Sequence, residues 1–280
     1  NFDMSFAQFP WPHLWISVDG GPRVEVPLDW HLRIDAGEGN HTVKVIYKSA
    51  AECQHRWHHP LVGRVAFLGY DAEGPAQLSP DPRKTIELVG DSITEGVLID
   101  TCYHEYRNYY FDEVFMDDVC ATYAYLTAEA LNLRPLHCGY GAVGITRGGQ
   151  GGVPRVSQSY PYCFEKSPVP YDHPDYILIN HGANDRHKSC EEYVNGYRDF
   201  LAQVRSAHPH AKIIVLSAFC GVHPKGLGEM VAQFNADNND DIFFVDSTGW
   251  ISPEPLHPLR DGHKTVAANL IPLLKEKYNL

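Results

Sequence analysis

The chain has 280 residues, of which 44% are hydrophobic and 21% are charged, as is typical of a folded globular protein. It holds no run of about 18 apolar residues, so no membrane span is predicted. Its formal net charge of −12 argues against a nucleic-acid partner, because phosphate binding needs clustered cations, and suits a neutral substrate. The length predicts one large domain and a smaller one.

The first 80 residues are rich in short β-strand patterns. Apolar residues alternate or cluster in stretches that are separated by Gly, Pro and Asp turns, namely 14–18, 23–28, 31–35, 42–48 and 65–70. This spacing predicts a small antiparallel β-sandwich of jelly-roll-like type over residues 1–80. Pro75, Pro80 and Pro82 mark its end, because proline cannot extend a strand ladder.

From residue 84 to residue 280 the pattern changes to an alternation of strands and helices. Two stretches, 176–180 and 212–216, are nearly all apolar, like strands buried on both faces of a parallel sheet. Strands are predicted at 85–89, 136–138, 176–180, 212–216 and 242–245, and helices at 117–131, 190–207, 226–237 and 261–278. Residues 84–280 are therefore predicted to form an α/β domain with a central parallel sheet.

Cysteine and histidine spacing does not indicate a metal site. The seven cysteines are odd in number and include no CxxC, which predicts mostly buried thiols and leaves one or two disulfides possible. His55, His58 and His59 cluster beside Trp57, but no carboxylate lies at a helpful interval. We interpret this cluster as a polar surface.

The beginning of the chain gives little information about location. Residues 1–4 show no basic segment followed by an apolar one, as a signal peptide would. The sequence predicts a soluble protein and leaves cytoplasmic and secreted locations open.

The first candidate catalytic residue follows the strand at 85–89. Sites in parallel α/β sheets form at the carboxyl ends of the strands. Gly90-Asp91-Ser92 places Ser92 on the turn into the next helix. A serine there can be a nucleophile or a plain helix N-cap.

Three later loops supply what a serine nucleophile needs. Glycines within 139–144 would let a backbone N–H approach a substrate oxygen, and Asn184 can donate its amide N–H to an oxyanion. His257 can act as general base, and Glu254, three residues earlier, could orient its other ring nitrogen. Each signal is ambiguous alone, but together they predict a serine hydrolase.

These segments resemble the sequence blocks of the SGNH, or GDSL-type, hydrolases. Residues 90–93 look like the first block, 139–144 resemble the second, 182–185 match the third and 254–257 resemble the last. The resemblance covers the chain from about residue 84 to its end. It implies a three-layer α/β fold, a Ser92–His257 core, no metal and no organic cofactor.

The resemblance also implies an oxyanion hole made by the Ser92 N–H, a glycine N–H of the second block, taken as Gly141, and Asn184. Two departures bear on these assignments. The second block usually has Asn where this chain has Gly139, so Gly144 is the alternative donor. The last block usually has Asp where this chain has Glu254, and a backbone carbonyl could hold His257 instead.

A narrower resemblance is to carbohydrate esterase family 2. It rests on the β region ahead of the hydrolase blocks, with the segments 18–20 and 39–45, and on the run 141–149. That family removes acetyl groups from plant polysaccharides, which implies an esterase for acetylated xylan- or mannan-type carbohydrates. Trp250 is the candidate for stacking on a sugar ring, with a core role as the alternative.

Two other functions remain open. One is an SGNH lipase, thioesterase or acyltransferase that uses a different acyl substrate. The other is a carbohydrate-binding protein whose hydrolase domain is catalytically silent. The sequence leaves the oligomeric state undetermined.

Overall fold

Strands and helices alternate along most of the computed structural model, which describes residues 1–62, 64–100, 109–170 and 173–280, without the side chains of residues 64 and 109–112. The described strands are β1 (Phe2–Phe6), β2 (His13–Val18), β3 (Val24–Pro27), β4 (Val43–Ser49), β5 (Arg64–Phe67), β6 (Thr85–Gly90), β7 (Arg134–Gly139), β8 (Tyr162–Phe164), β9 (Ser167–Pro168), β10 (Tyr176–Asn180), β11 (Lys212–Leu216) and β12 (Phe243–Val245). The described α-helices are α1 (Ser92–Glu95), α2 (Tyr109–Met116), α3 (Tyr123–Ala130), α4 (Val156–Ser159), α5 (Cys190–Ala207), α6 (Pro224–Asn238) and α7 (Arg260–Tyr278).

Five parallel strands form the central sheet, in the order β12-β11-β10-β6-β7. After β6 the chain adds β7 on one side, and it later returns to place β10 on the other side. The strand order therefore reverses at β6, and a reversal of this kind opens a crevice at the carboxyl ends of the strands. The fold thus predisposes the loop after β6 to carry a site.

Helices cover both faces of this sheet. Ile177 and Ile179 belong to the buried cluster of α5 and α6, whereas Leu178 belongs to the cluster of α3 and α7. Neighbouring residues of one strand point to opposite faces, so both faces of β10 are covered. The predicted α/β class with a central parallel sheet is confirmed, and the sheet is the middle of three layers.

Residues before β6 form two small antiparallel sheets, β3-β2-β4 and β1-β5. Met4, Leu14 and Leu28 make a small buried cluster between strands of both sheets. The predicted strand at 31–35 is wrong, since those residues form no strand, and β1, which was not predicted, pairs with β5. Alternating polarity produces a strand only where a partner strand is available to complete the ladder.

The helix predicted at 117–131 begins later than expected. A short 3-10 turn occupies Val119–Ala121, and α3 starts at Tyr123. Asp118 caps the turn by accepting from the Cys120 N–H, and Thr122 caps α3 by accepting from the Tyr125 N–H. The two caps divide one apolar stretch into two elements.

Side chains of β2 and β4 connect the small sheets to the rest of the protein. Trp15 Nε1 donates to Asp118 Oδ1 at 3.0 Å, and the buried Lys48 Nζ donates to the Val114 carbonyl at 2.8 Å. The predicted domain boundary at residues 80–84 lies in the segment between β5 and β6 and stays a prediction. In the described parts of the chain, the helices are too short or too polar to cross a membrane.

Candidate active site

The turn between β6 and α1 presents Ser92. Asp91 caps α1 by accepting the Ile93 N–H on its Oδ1 at 3.0 Å. A Cβ on Gly90 would lie 2.1 Å from Thr94 Oγ1 and 2.9 Å from the Asn180 carbonyl. Only glycine allows α1 to approach the sheet this closely, and this approach fixes where Ser92 lies.

Ser92 and His257 are 165 residues apart in sequence and in contact in the structure. The distance from Ser92 Oγ to His257 Nε2 is 2.8 Å, which is the length of a hydrogen bond. Ser92 is 6% exposed, and His257 is half-buried in the loop before α7. This pair has the geometry that a nucleophile and its general base need.

The charge state of His257 suits a base. Burial, together with the positive charge of Arg186, lowers the pKa of His257 to about 4. The ring is therefore neutral near pH 7, and in the tautomer that leaves Nε2 unprotonated it can accept the Ser92 proton.

Glu254 lies in the same loop as His257. It is exposed, and its backbone N–H donates to Ser252 Oγ at 3.2 Å. Among the described residues, no ion pair or hydrogen bond involves the Glu254 carboxylate. The role of Glu254 in orienting the His257 ring stays a prediction.

Asn184 lies beside the Ser92 turn. Its Nδ2 donates to Val143 O at 3.0 Å and to Asp91 Oδ2 at 3.3 Å. Both amide hydrogens thus have protein acceptors, and the bond to Asp91 is the longer one. An oxyanion near Ser92 would compete with Asp91 for that hydrogen.

The two candidate glycines differ in what their backbone N–H groups already contact. The Gly144 N–H donates to the Arg147 carbonyl at 3.0 Å. No described residue accepts a hydrogen bond from the Gly141 N–H, and Gly141 is buried. This difference agrees with Gly141 as the oxyanion donor, and the choice between Gly141 and Gly144 stays a prediction.

Asp185 has a structural role that the sequence did not suggest. Its carboxylate accepts from the N–H groups of Ile145 and Thr146, at 3.0 and 2.9 Å, and from Thr146 Oγ1 at 2.6 Å. A Cβ on Gly144 would lie 2.7 Å from Asp185 Oδ2. Asp185 therefore anchors the glycine loop next to the turn that holds Asn184. In the sequence, the position of Asp185 directly after Asn184 was the only feature that linked it to the site.

Trp250 lies seven residues before His257 in the sequence. It is half-buried against the apolar cluster of α3 and α7, and its backbone N–H donates to the Ser247 carbonyl at 3.1 Å. The residue as a whole is half-buried, and the stacking role and the core role both stay predictions.

The histidines near Trp57 and the cysteines show no sign of a metal site in the described residues. In the His55–His59 region, His58 Nδ1 lies 3.1 Å from Glu165 Oε2. No group of three or more His, Cys, Asp or Glu side chains that could hold a metal is found in the part of the chain that the structure describes. Six cysteines are free thiols, and Cys102 lies outside the described residues.

A family model matches the α/β part of the chain. The model of the GDSL-like Lipase/Acylhydrolase family matches residues 88–265, which include Ser92, Asn184 and His257. No curated protein gives a significant sequence match.

Solved structures resemble the whole chain. A family two carbohydrate esterase from Clostridium thermocellum, in complex with cellohexaose, is 25% identical with a TM-score of 0.76, covering 96% of this chain and 86% of that one. An acetyl xylan esterase from the rumen bacterium Butyrivibrio proteoclasticus is 18% identical with a TM-score of 0.75, covering 96% and 84%. A family 2 carbohydrate esterase with a carbohydrate binding domain, from Corynascus thermopiles (Myceliophthora fergusii), is 19% identical with a TM-score of 0.72, covering 96% and 88%.

The family model covers more than half of the chain, and the matched structures include the small N-terminal sheets as well as the parallel sheet. The chain belongs to the GDSL-like lipase/acylhydrolase family and is a carboxylic ester hydrolase.

Proposed function

We propose that this protein is a serine esterase that removes O-acetyl groups from carbohydrates of the acetylated xylan or mannan type. The observation that carries the proposal is the 2.8 Å contact between Ser92 Oγ and His257 Nε2 at the carboxyl edge of the sheet. The likeness of the whole chain to carbohydrate esterases supports the substrate class.

The first half of the reaction forms an acyl-enzyme. Ser92 Oγ attacks the acetyl carbonyl carbon while His257 Nε2 takes its proton. The carbonyl oxygen becomes an oxyanion, which the N–H groups of Ser92 and Gly141 and the Asn184 amide stabilise. When the tetrahedral intermediate collapses, the C–O bond to the sugar breaks, and the sugar alcohol leaves with the proton from His257.

The second half releases acetate. His257 takes a proton from a water molecule, and the water oxygen attacks the acetyl-Ser92 carbonyl. The same donors stabilise the second oxyanion. Collapse of this intermediate breaks the bond to Ser92 Oγ, which regains a proton from His257. With the ester and one water molecule as the reactants, both halves balance in atoms and protons.

The net charge also favours a neutral substrate. A chain with a formal charge of −12 would repel polyanionic substrates at long range. Trp250, which is half-buried and lies seven residues before His257 in the sequence, is the candidate on which a sugar ring could stack.

The test compares acyl chain lengths and the role of Ser92. Initial rates on the 4-nitrophenyl esters of acetate, butyrate and octanoate are measured for wild type and Ser92→Ala, followed by acetate release from acetylated xylan and mannan. Ser206→Ala, at an exposed position of α5, is the control for serine removal. We expect rates that fall as the acyl chain lengthens and a loss of nearly all turnover in Ser92→Ala alone.

Other outcomes point elsewhere. Preference for the octanoate ester would contradict the acetyl specificity and favour a lipase or thioesterase. Sugar binding without any turnover would favour a carbohydrate-binding protein. Wild-type turnover in Ser92→Ala would overturn the mechanism.

A further inference from the structure

The N-terminal region reaches the candidate site through a short segment, residues 52–56, that follows β4. Arg56 forms a bidentate ion pair with Glu95: Nη1 contacts Oε1, and Nη2 lies 3.2 Å from Oε2. Glu95 is the last residue of α1, and Ser92 is the first. Arg56 thus holds the far end of the helix that presents the nucleophile.

This ion pair is shielded from solvent. The Arg56 and Glu95 side chains are 18% and 19% exposed. Exposed pairs are weak because water and salt screen them, whereas a shielded, two-pronged Arg–carboxylate pair fixes both distance and orientation. The contact can therefore restrain α1 geometrically.

The same segment contacts the glycine loop. A Cβ on Gly141 would lie 2.3 Å from Glu52 Oε2 and 3.2 Å from Arg56 Nη2. The Arg56 guanidinium lies 5.7 Å from the centroid of the Tyr140 ring. The backbone N–H of Arg56 donates to the Gly151 carbonyl at 3.0 Å. Arg56 therefore touches both the helix that starts at Ser92 and the loop that carries Gly141.

Arg56 lies among carboxyl groups. The Glu52 N–H donates to Glu113 Oε1 at 2.7 Å. Burial, and then repulsion from Glu95, raises the pKa of Glu52 to about 8, so Glu52 is mostly protonated at neutral pH. Glu95 is then the carboxylate that Arg56 neutralises. Without Arg56, Glu95 would be a shielded carboxylate without this ion-pair partner, and we expect its side chain to move.

We propose that Arg56 is a positioning residue that holds the Ser92 helix and the Gly141 loop in the relative placement that the reaction requires. The N-terminal region then completes the active site instead of only lying next to it. This inference rests on the proposed esterase function. A displacement of about 1 Å between reacting groups lowers rates by about 100-fold, so a loosened α1 should reduce turnover more than substrate binding.

The experiment compares two ion pairs of similar burial. Arg56→Gln and Glu95→Gln break the pair at the site, and Arg56→Lys keeps the charge without the planar fork. Arg205→Gln is the matched control: Arg205 pairs with Asp240 through two contacts of 2.7 and 2.8 Å, with side chains 20% and 10% exposed, on the remote helix α5. The values of kcat and KM are measured on 4-nitrophenyl acetate at a temperature where circular dichroism shows every variant to be folded. Labelling of Ser92 by a fluorophosphonate is followed in parallel.

We expect Arg56→Gln to lower kcat about 10- to 100-fold, with KM changed less than about threefold. Glu95→Gln should behave alike, and the double variant should lose no more than either single one, because both remove the same contact. Arg56→Lys should recover part of the rate. Arg205→Gln should lower thermal stability but keep kcat within about twofold.

Two results would overturn the inference: a folded Arg56→Gln variant with wild-type kcat, or an Arg205→Gln variant that loses as much kcat as Arg56→Gln. Failure of the proposed function looks different, since wild type itself would then neither turn over the ester nor react with the fluorophosphonate. In that case the inference falls together with the function.

Discussion

The two sides of the site are built in different ways. On the nucleophile side, the close approach at Gly90, the Asp91 cap and the Arg56–Glu95 pair fix the turn that carries Ser92. On the base side, His257 lies in a loop whose residues 252–255 are exposed. Packing therefore determines where Ser92, the proposed nucleophile, lies, whereas the behaviour of His257, the proposed base, depends on its local electrostatics. Substitutions on the two sides should differ accordingly.

The largest effect is expected from removing either reacting side chain. Ser92→Ala and His257→Ala should each lower kcat on 4-nitrophenyl acetate at least about a thousandfold, and the double variant should be no slower, because the two groups act as a unit. His210→Ala, at an exposed position, is the control for histidine removal. A His257→Ala variant with a tenth of wild-type activity would show that another group is the base.

A somewhat smaller effect is expected at Asn184. Asn184→Ala removes one oxyanion donor and should lower kcat about 100- to 1000-fold, which corresponds to about 3–4 kcal/mol of barrier. Asn235→Ala is the control for asparagine removal, because the Asn235 side chain makes two hydrogen bonds, of 2.9 and 3.0 Å, to backbone groups of Ile242.

If Asn184→Ala reduced thermal stability as Asn235→Ala does but kept its kcat, the role of Asn184 would be structural. Stabilisation of the oxyanion would then depend on backbone N–H groups alone.

The base side should be recognised by its pH dependence. Because the pKa of His257 is lowered to about 4, the neutral base persists in mild acid, and kcat/KM should fall only as the pH drops through about 4. Arg186→Gln removes a positive charge that disfavours the protonated ring, so this acid limb should move to higher pH. Lys225→Gln, at a highly exposed position of α6, is the control.

The pH profile is measured on 4-nitrophenyl acetate with a check of folding at each pH. An acid limb that Arg186→Gln and Lys225→Gln shift equally would reflect overall charge and not the local field at His257.

The smallest effect is expected at Glu254. Glu254 is exposed, and its carboxylate makes no hydrogen bond or ion pair with a described residue, so Glu254→Gln should change kcat less than about twofold at moderate ionic strength. Steady-state rates against wild type decide this. A loss of tenfold or more would mean that Glu254 approaches His257 during the reaction.

The parallel-sheet region was easier to predict than the small N-terminal sheets. The helix predicted at 190–207 is found at those residues because its apolar stripe is fully buried. Strands β10 and β11 agree with prediction because burial on both faces makes them nearly all apolar. Strand β1 was missed because its pairing with β5 joins residues that are 58 to 65 positions apart.

The sequence by itself determined the α/β fold class, the family resemblance and the candidates Ser92, Asn184 and His257, because each follows a strand or precedes a helix whose local pattern is strong. Only the tertiary structure showed that the Gly144 N–H already has an acceptor, whereas no described residue accepts a hydrogen bond from the Gly141 N–H. The exposure of Glu254 and the Arg56–Glu95 pair likewise depend on how the folded chain packs. Such contacts depend on three-dimensional proximity, which neither spacing nor periodicity along the chain encodes.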